Sequence, residues 1–192
     1  MRIAAATGNA HKLKELSQML GGAVELVSMK DAGFTGDIVE DGDTFEKNAV
    51  IKAEAVSHAT GLPALADDSG LSVDALGGAP GVYSARYAGE HGDDQANNDL
   101  LLRNMQGVEN RACRFVCAMA LALPGEKTRV VRGECPGTLL TQRSGQGGFG
   151  YDPLFQYQTG KSFGEMTEGE KNAVSHRAVA AKEMRRLLDE VL

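Results

Sequence analysis

The apolar and polar positions of this chain alternate between a period of two and a period near 3.6, as in an α/β protein. Apolar runs or strict alternation predict strands at residues 2–6, 24–28, 71–76, 111–123 and 127–134. Apolar residues at helical spacing predict helices at residues 10–20, 44–60, 93–106 and 168–192. Because the early strand and helix units favour parallel pairing and the later hairpin is antiparallel, we expect a mixed sheet.

In the stretch from Leu65 to Leu71, a short apolar run is followed by two carboxylates, Asp67 and Asp68. We interpret it as a short buried strand that delivers these acids to a turn at Gly70. Consecutive side chains on a strand point to opposite faces. We therefore expect one carboxylate to face a cleft and the other to bind backbone amides. A solvated acidic turn is the alternative for an isolated pair of this kind.

Composition and charge narrow the possible functions of the chain. Its 192 residues, 42% hydrophobic and 24% charged, fit one domain over residues 1–192. The net charge of −6 argues against a broad basic face, so no nucleic acid polymer is expected as a partner. No apolar run approaches the roughly twenty residues that cross a bilayer, so we expect a cytoplasmic protein without membrane contact. The cysteines Cys113, Cys117 and Cys135 are odd in number and are most simply core residues.

Groups suited to an anionic ligand occur near both ends of the chain. The first strand leads through residues 7–12 into a helix with Lys12 in its first turn, which would aim backbone amides at a phosphate. Near the other end, Lys171, His176 and Arg177 gather at the start of the predicted last helix. The positive end of the helix dipole disfavours cations at a helix N-terminus, so three such residues at this place indicate a functional role.

An acidic loop that contains Glu40 precedes the helix at residues 44–60. An EF-hand is excluded, because the position for its bidentate glutamate is Asn48. A charge bias at the helix N-terminus is the alternative interpretation of the acids. Asn48 and Lys52 lie one turn apart on the helix, where both would face a cleft.

The glycine-rich stretch at residues 145–153 matches the letters G-x-G-x-x-G but is not a dinucleotide fingerprint, because Pro153 and aromatic residues follow instead of a helix. The segment Gly160 to Ser162 lacks the earlier glycine of a P-loop. What remains is a loop with exposed aromatic rings, Phe149 and Tyr151, suited to stacking on a flat ligand.

Cations for phosphates, carboxylates for a divalent metal and rings for a base together describe a nucleoside triphosphate site. With these motifs in this order, the chain resembles the non-canonical purine nucleoside triphosphate pyrophosphatase family, also called inosine triphosphatase or dITP/XTP pyrophosphatase, over nearly its whole length. The motifs that carry the resemblance are Thr7-Gly8-Asn9-x-x-Lys12, Glu40 before Thr44-Phe45, Asn48-Ala49-x-x-Lys52-Ala53, Ala66 to Leu71, Gly78 to Arg86, Gly148 to Pro153, and Lys171-x-x-x-Ser175-His176-Arg177.

The resemblance implies an α/β fold with a curved mixed β-sheet flanked by helices, in two lobes with the site in the cleft between them. It also implies a homodimer, Mg²⁺, and hydrolysis of the purine nucleoside triphosphates ITP, dITP and XTP to monophosphate and pyrophosphate, which cleanses the nucleotide pool. By resemblance, Asp68 is the catalytic proton acceptor, and Glu40 and Asp68 bind the metal. The implied substrate-binding residues are Thr7, Gly8, Asn9, Ala10, His11, Lys12, Lys52, Ser69, Phe149, Gly150, Tyr151, Asp152, Lys171, His176 and Arg177.

Three expectations concern the chemistry of the implied site. Because a bound cation stabilises the charged form of a carboxylate, we expect Asp68 to position metal and water more than to take a proton. Lys47 stands where many members of the family carry a glutamate, so Glu46 or water would have to substitute for it at the metal. Arg177 offers only donors, so it should meet the 6-oxo group of hypoxanthine or xanthine and disfavour adenine; no residue is assigned to the rejection of guanine.

Two other functions fit part of the same pattern. A regulatory module would bind a triphosphate without cleaving it, and Asp68 together with Glu40 argues against this because a pure binder could rely on cations alone. A general nucleotide phosphatase would release orthophosphate instead of pyrophosphate. Analysis of the reaction products separates these alternatives.

Overall fold

The computed structural model describes residues 1–22 and 24–191, which form five α-helices and six β-strands. The helices are α1 (Ala10–Leu20), α2 (Phe45–Thr60), α3 (Asp94–Asn104), α4 (Glu168–Val174) and α5 (His176–Val191). The strands are β1 (Arg2–Ala5), β2 (Glu25–Ser28), β3 (Ala64–Val73), β4 (Ala112–Ala122), β5 (Arg129–Leu139) and β6 (Phe155–Gln156). Leu192, the end of the predicted last helix, lies outside the described residues.

The strands form one sheet in the order β2-β1-β3-β4-β5-β6. β1 lies parallel to β2 and β3, with Ile3 opposite Leu26 and Ala5 opposite Leu65. β6 runs antiparallel to β5. The sheet therefore contains parallel and antiparallel pairs and is accompanied by helices, which confirms the predicted α/β class with a mixed sheet. Its parallel part follows from the strand and helix units with which the chain begins.

The chain divides into two compact units, and each has its own apolar core. The first unit comprises Met1–Asp68, Cys117–Gly133 and Arg177–Leu192, and the second comprises Ser69–Val116 and Glu134–His176. Ile3, Leu65 and Met184 are fully buried in the core of the first unit. Phe115 and Phe155 pack in the core of the second, with ring centroids 4.7 Å apart. One domain over residues 1–192 stays a prediction.

β4 is apolar on both of its faces. Its sequence has large apolar residues on one face and mostly alanines on the other, a pattern that indicated burial clearly for the first face only. Every residue from Phe115 to Ala122 is buried, so both faces of β4 are covered along this stretch. The cysteines are buried and unpaired by disulfides, as expected for core residues. Burial raises the pKa of Cys113 and Cys117 to about 12 and that of Cys135 to about 11, so these thiols stay protonated and unreactive.

The predicted turn at Gly70 is wrong, because β3 continues without interruption through the two aspartates to Val73. Gly70 does not have a positive φ. Its role is to allow a close approach: a Cβ there would lie 2.3 Å from Ser84 Oγ and 2.6 Å from the carbonyl oxygen of Gly81. The N–H of Leu71 donates to Ser84 Oγ at 3.0 Å across this contact. A short 3-10 helix, Gly81–Arg86, thereby packs directly against the strand.

The predicted helix at residues 168–192 is in fact two helices, α4 and α5. Ser175 between them has an extended backbone, with φ −67° and ψ 161°, although the apolar spacing continues past it. Lys171 consequently lies in the last turn of α4, where the helix dipole favours a cation. The argument that placed Lys171 against the dipole is therefore wrong, whereas His176 and Arg177 do begin a helix, α5.

Replacing Gly70 with alanine should destabilise the protein, because the new methyl group meets a backbone carbonyl that cannot turn away. Overpacking of this kind lowers the free energy of unfolding by about 1–3 kcal/mol, and we expect a loss of about 3 kcal/mol or more. Urea denaturation measures it. The matched control is Gly169→Ala in α4, where a Cβ meets nothing within 4 Å; helix propensity should make that variant slightly more stable. Equal stability of the two variants would contradict the close-packing role.

Candidate active site

A cluster of charged side chains lies in the first unit, and we call it the acidic-strand cluster. β3 supplies adjacent carboxylates, α1 supplies two charges one turn apart, and α2, α5 and the loop before α2 supply one charge each. Its members are Lys12, Glu15, Glu40, Lys52, Asp67, Asp68 and Arg177. Most of these side chains are buried, so their charges interact with little screening by water.

Asp67 is the anionic centre of this cluster and is completely buried. Its Oδ2 accepts hydrogen bonds from Arg177 Nε at 3.2 Å and Nη2 at 3.0 Å, and it lies 3.4 Å from Lys12 Nζ. Burial raises the pKa of Asp67, but Lys12, Arg177 and Lys52 outweigh burial and hold that pKa well below its ordinary value. Asp67 therefore stays charged. The partners of its Oδ2 are Arg177, Lys12 and, at 3.9 Å, the Cys117 thiol. The expectation that one aspartate binds backbone amides is therefore wrong.

Arg177 is 1% exposed and also donates from Nη1 to Glu15. Its pKa is raised: burial lowers it, and the carboxylates of Asp67 and Glu15 more than compensate. The guanidinium is thus directed at carboxylates of its own chain, and these contacts position Asp67. The predicted contact of Arg177 with the 6-oxo group of a purine stays a prediction.

Asp68 has a different environment from its neighbour on β3. Its Oδ1 lies 3.4 Å from Lys52 Nζ, which is also 2.9 Å from Glu40 Oε2. Burial raises the pKa of Asp68, and the negative charges of Glu40 and Asp67 raise it further, so Lys52 offsets only part of the effect. Its Oδ2 is buried without a hydrogen-bond partner among the described residues. The two adjacent aspartates thus have opposite pKa shifts.

Lys52 is buried between these carboxylates on α2. Burial lowers its pKa, but Asp68, Asp67 and Glu40 outweigh burial and raise it, so the ammonium stays charged. Asn48, one turn earlier, is 2% exposed, and its Oδ1 accepts the N–H of Gly42 at 2.8 Å. This bond fixes the loop that carries Glu40 against α2.

The start of α1 is capped by its own sequence. Asn9 Oδ1 accepts the N–H groups of His11 at 2.9 Å and Lys12 at 3.2 Å, and Thr7 Oγ1 accepts the N–H of Asn9 at 3.1 Å. Two amides that were predicted to point at a phosphate are therefore bound by Asn9. Lys12 remains the cation of this segment, with its side chain 14% exposed.

The later candidates meet in the second unit, in a group that we call the aromatic cluster: Phe115, Phe149, Asp152, Lys171 and His176. Asp152 Oδ2 accepts from Lys171 Nζ at 2.7 Å and from the N–H of Phe149 at 3.0 Å. Lys171 Nζ lies 4.6 Å from the centroid of the Phe149 ring, within reach of a cation–π contact. His176 stacks on Phe115, with centroids 4.7 Å apart.

The glycine-rich loop offers one aromatic ring at its surface, where two were predicted. Phe149 is half-buried, but Tyr151 is 4% exposed, and its hydroxyl donates to the carbonyl oxygen of Ser84 at 2.7 Å. The prediction that Tyr151 is exposed is therefore wrong. Gly150 is held at both backbone groups, because its N–H donates to Asp94 Oδ2 at 2.8 Å and its carbonyl accepts from Asn98 Nδ2 at 2.9 Å. Ser69, which follows Asp68 in β3, is half-buried.

Sequence reasoning missed some residues that organise these clusters. Glu15 lies one turn after Lys12 on α1, and this spacing was the available signal that it shares a face with the lysine. Asp94 and Asn98 lie four residues apart on α3, but their partner Gly150 is far away in the chain, so no local pattern indicated them.

The described residues contain no group of three or more histidine, cysteine, aspartate or glutamate side chains arranged to hold a metal. Glu40 and Asp68 nevertheless fit a hard divalent cation such as Mg²⁺, since both are oxygen donors and Asp68 Oδ2 is buried without a partner. Glu46 accepts from Arg132 Nη1 at 2.7 Å, and Lys47 pairs with Asp43 at 2.6 Å. The expectation that Glu46 or water takes the place of the glutamate at the metal stays a prediction.

Comparison with known proteins gives consistent similarities over the whole chain. The model of the Ham1 family matches residues 3–187. Two proteins named dITP/XTP pyrophosphatase, from Bacillus licheniformis and Bacillus subtilis, are 49% and 48% identical over 96% of this chain and 96% and 95% of their own. The Ham1 protein of Staphylococcus aureus superposes with a TM-score of 0.91 at 34% identity, with all of both chains covered. No helix among the described residues is long and apolar enough to cross a membrane.

Removing the buried guanidinium in Arg177→Met should lower the free energy of unfolding by about 3–5 kcal/mol, because it leaves Asp67 buried and under-compensated. Urea denaturation without divalent metal measures this loss. Arg186→Met on the same helix is the control, since its pair with Glu183 is exposed and its loss should cost under about 1 kcal/mol. Comparable losses in both variants would contradict the central role of the Arg177 pair.

The same contact predicts a pH dependence. The pKa of Asp67 lies below its unfolded value near 3.9, so its contribution to stability is complete above that pH and is lost as the pH falls. The difference in unfolding free energy between the wild type and Asp67→Asn should therefore shrink below about pH 4. A difference that stays constant across this range would mean that the charge of Asp67 is not what stabilises the fold.

Proposed function

The chain belongs to the Ham1 family, and we propose that it hydrolyses the purine nucleoside triphosphates dITP, ITP and XTP to the monophosphate and pyrophosphate. The observation that carries the proposal is the pair of adjacent buried aspartates with opposite pKa shifts, within a cluster of lysines and carboxylates. Its substrate class follows from relatives near 49% identity that are named dITP/XTP pyrophosphatase. Such an activity would remove these nucleotides from the pool.

We assign phosphate binding to the segment at residues 7–12 and to Lys52. Lys12 supports this assignment because its side chain is partly exposed. Asp67, its partner at 3.4 Å, also pairs with Arg177, so Asp67 does not depend on Lys12 alone for its compensation. We assign base binding to the aromatic cluster, where Lys171 and Asp152 fix the half-buried ring of Phe149. We assign Arg177 a positioning role at Asp67, and its contact with the base stays a prediction.

Glu40 and Asp68 are the residues that would hold Mg²⁺, which would neutralise phosphate charge and lower the pKa of water. Hydrolysis forms a bond between the water oxygen and the α-phosphorus and breaks the bond from that phosphorus to the bridging oxygen, so pyrophosphate leaves. Of the two aspartates, we assign Asp68 to the metal and the attacking water. The pKa of Asp68 is raised in the metal-free protein, but a bound cation would stabilise its charged form, so Asp68 should position the water more than take its proton. The cations around Asp67 keep the pKa of Asp67 low.

Three further implications of the resemblance stay predictions: the identity of the metal as Mg²⁺, assembly as a homodimer, and location in the cytoplasm. The same holds for the two lobes with the site in the cleft between them.

Incubation with dITP or XTP should yield the monophosphate and pyrophosphate in equal amounts, with much slower use of ATP. Ion-exchange chromatography of the products measures both. Release of orthophosphate would indicate a general phosphatase, and tight binding without turnover would indicate a regulatory module. Equal use of ITP and ATP would contradict the proposed substrate class.

Asp68→Asn should abolish turnover while leaving the melting temperature of the metal-free protein unchanged or higher. The raised pKa means that the ionised carboxylate opposes folding at neutral pH, so its removal costs no stability. Differential scanning calorimetry and a turnover assay test the two halves. Asp67→Asn is the matched control and should lower the melting temperature. Turnover near wild type in Asp68→Asn would remove Asp68 from the chemistry.

Glu40→Gln should weaken activity in a way that raised Mg²⁺ concentration partly restores, because mass action offsets a lower metal affinity. Initial rates across a Mg²⁺ titration give the apparent activation constant. A loss that is indifferent to Mg²⁺ would count against Glu40 as a metal ligand.

A further inference from the structure

Lys52 occupies the position of a counter-ion for the two carboxylates that we assign to the metal. Its ammonium lies 2.9 Å from Glu40 Oε2 and 3.4 Å from Asp68 Oδ1, and its side chain is 9% exposed. Two carboxylates and one ammonium leave a single negative charge at this point. A divalent cation bound there would stand close to the lysine, with too little negative charge between the two cations to compensate both.

The backbone around this contact is held in place, so the response to a bound cation falls to side chains, and among them to that of Lys52. Lys52 lies within α2, and the loop that carries Glu40 is held to the same helix by the bond from Gly42 N–H to Asn48 Oδ1. A Cβ on Gly42 would lie 2.6 Å from that oxygen, which shows how closely the loop approaches the helix. The four-carbon stem of lysine, by contrast, turns on rotatable bonds and moves its charge without moving the helix.

We propose that Lys52 is the internal counter-ion of the metal-free site and that it couples metal binding to triphosphate binding. This inference rests on the proposed function. With no nucleotide present, the ammonium competes with a divalent cation for Glu40 and Asp68, so the cation binds weakly. A triphosphate supplies new anionic oxygens that accept the ammonium, and the two carboxylates then become available to the metal.

Two consequences follow from this competition. Coupling of binding free energies is reciprocal, so the factor by which triphosphate tightens metal binding equals the factor by which metal tightens triphosphate binding. Removal of the charge of Lys52 should therefore tighten metal binding in the absence of nucleotide and also reduce the dependence of nucleotide binding on metal. A lysine that only contacts phosphate would leave metal binding without nucleotide unchanged.

The experiment uses Mn²⁺ as the probe and measures free Mn²⁺ by electron paramagnetic resonance, without nucleotide. Lys52→Met should bind Mn²⁺ about tenfold more tightly than the wild type, a change of about 1.4 kcal/mol. Lys52→Arg, which keeps the charge, should bind like the wild type. The matched control is Lys47→Met on the same helix, which removes an exposed ammonium that pairs with Asp43; its affinity should change less than twofold, because exposed charges are screened.

A second measurement follows the affinity for an α,β-methylene analogue of ITP by calorimetry, with and without Mn²⁺. Added Mn²⁺ should tighten analogue binding strongly in the wild type and weakly in Lys52→Met. Should the methionine variant fail to fold without metal, Lys52→Gln replaces it, and added Mn²⁺ should raise the melting temperature of Lys52→Gln more than that of the wild type.

The outcomes separate the inference from the proposed function. Suppose that the wild type releases pyrophosphate but that Lys52→Met and Lys52→Gln bind Mn²⁺ with the affinity of the wild type. That result overturns the inference and leaves the proposed function standing. An equal gain of affinity in Lys47→Met also overturns it, because the effect would then be one of net charge. Absence of Mn²⁺ binding in every form, even with the analogue, overturns both the inference and the metal assignment.

Discussion

The neutralisation of one buried carboxylate organises the first unit of this protein. Asp67 lies where no water reaches it, and an isolated charge in such a place would be expensive. Arg177 and Lys12, which come from opposite ends of the chain, compensate this charge. β3, α1 and α5 therefore have to meet at one oxygen atom before the charge is compensated. Glu15 joins this contact through Arg177. Glu40, Lys52 and Asp68 form a second contact beside it.

The alternation of a β-strand turns this single constraint into two chemical environments. Asp67 and Asp68 are neighbours in the chain, yet one contacts a guanidinium and a lysine while the other shares a lysine with a second carboxylate. Their pKa values consequently shift in opposite directions. A strand achieves this separation without any loop, which is why the absence of a turn at Gly70 does not diminish the site.

The sequence predicted the elements well and their tertiary partners poorly, for physical reasons. Periodicity and capping are local, so α1 and α2 were found within a residue of their observed ends. Gly70 was misjudged because a glycine needed for close approach has the same letter as one needed for a turn. The end of α4 was missed because apolar spacing continues through Ser175. The pairing of Glu15 with Arg177 joins residues far apart in the chain, and no periodicity carries that information.

The short break at Ser175 has a consequence for how this chain can change over evolutionary time. His176 belongs to the aromatic cluster of the second unit, and the next residue, Arg177, compensates Asp67 in the first. One inserted or deleted residue at this junction would turn the face of α5 by about 100° and carry the guanidinium away from its carboxylate. Substitutions can accumulate along the exposed side of α5, but the spacing at its beginning has no freedom. Changes in chain length should therefore be tolerated in surface loops and purged at this junction.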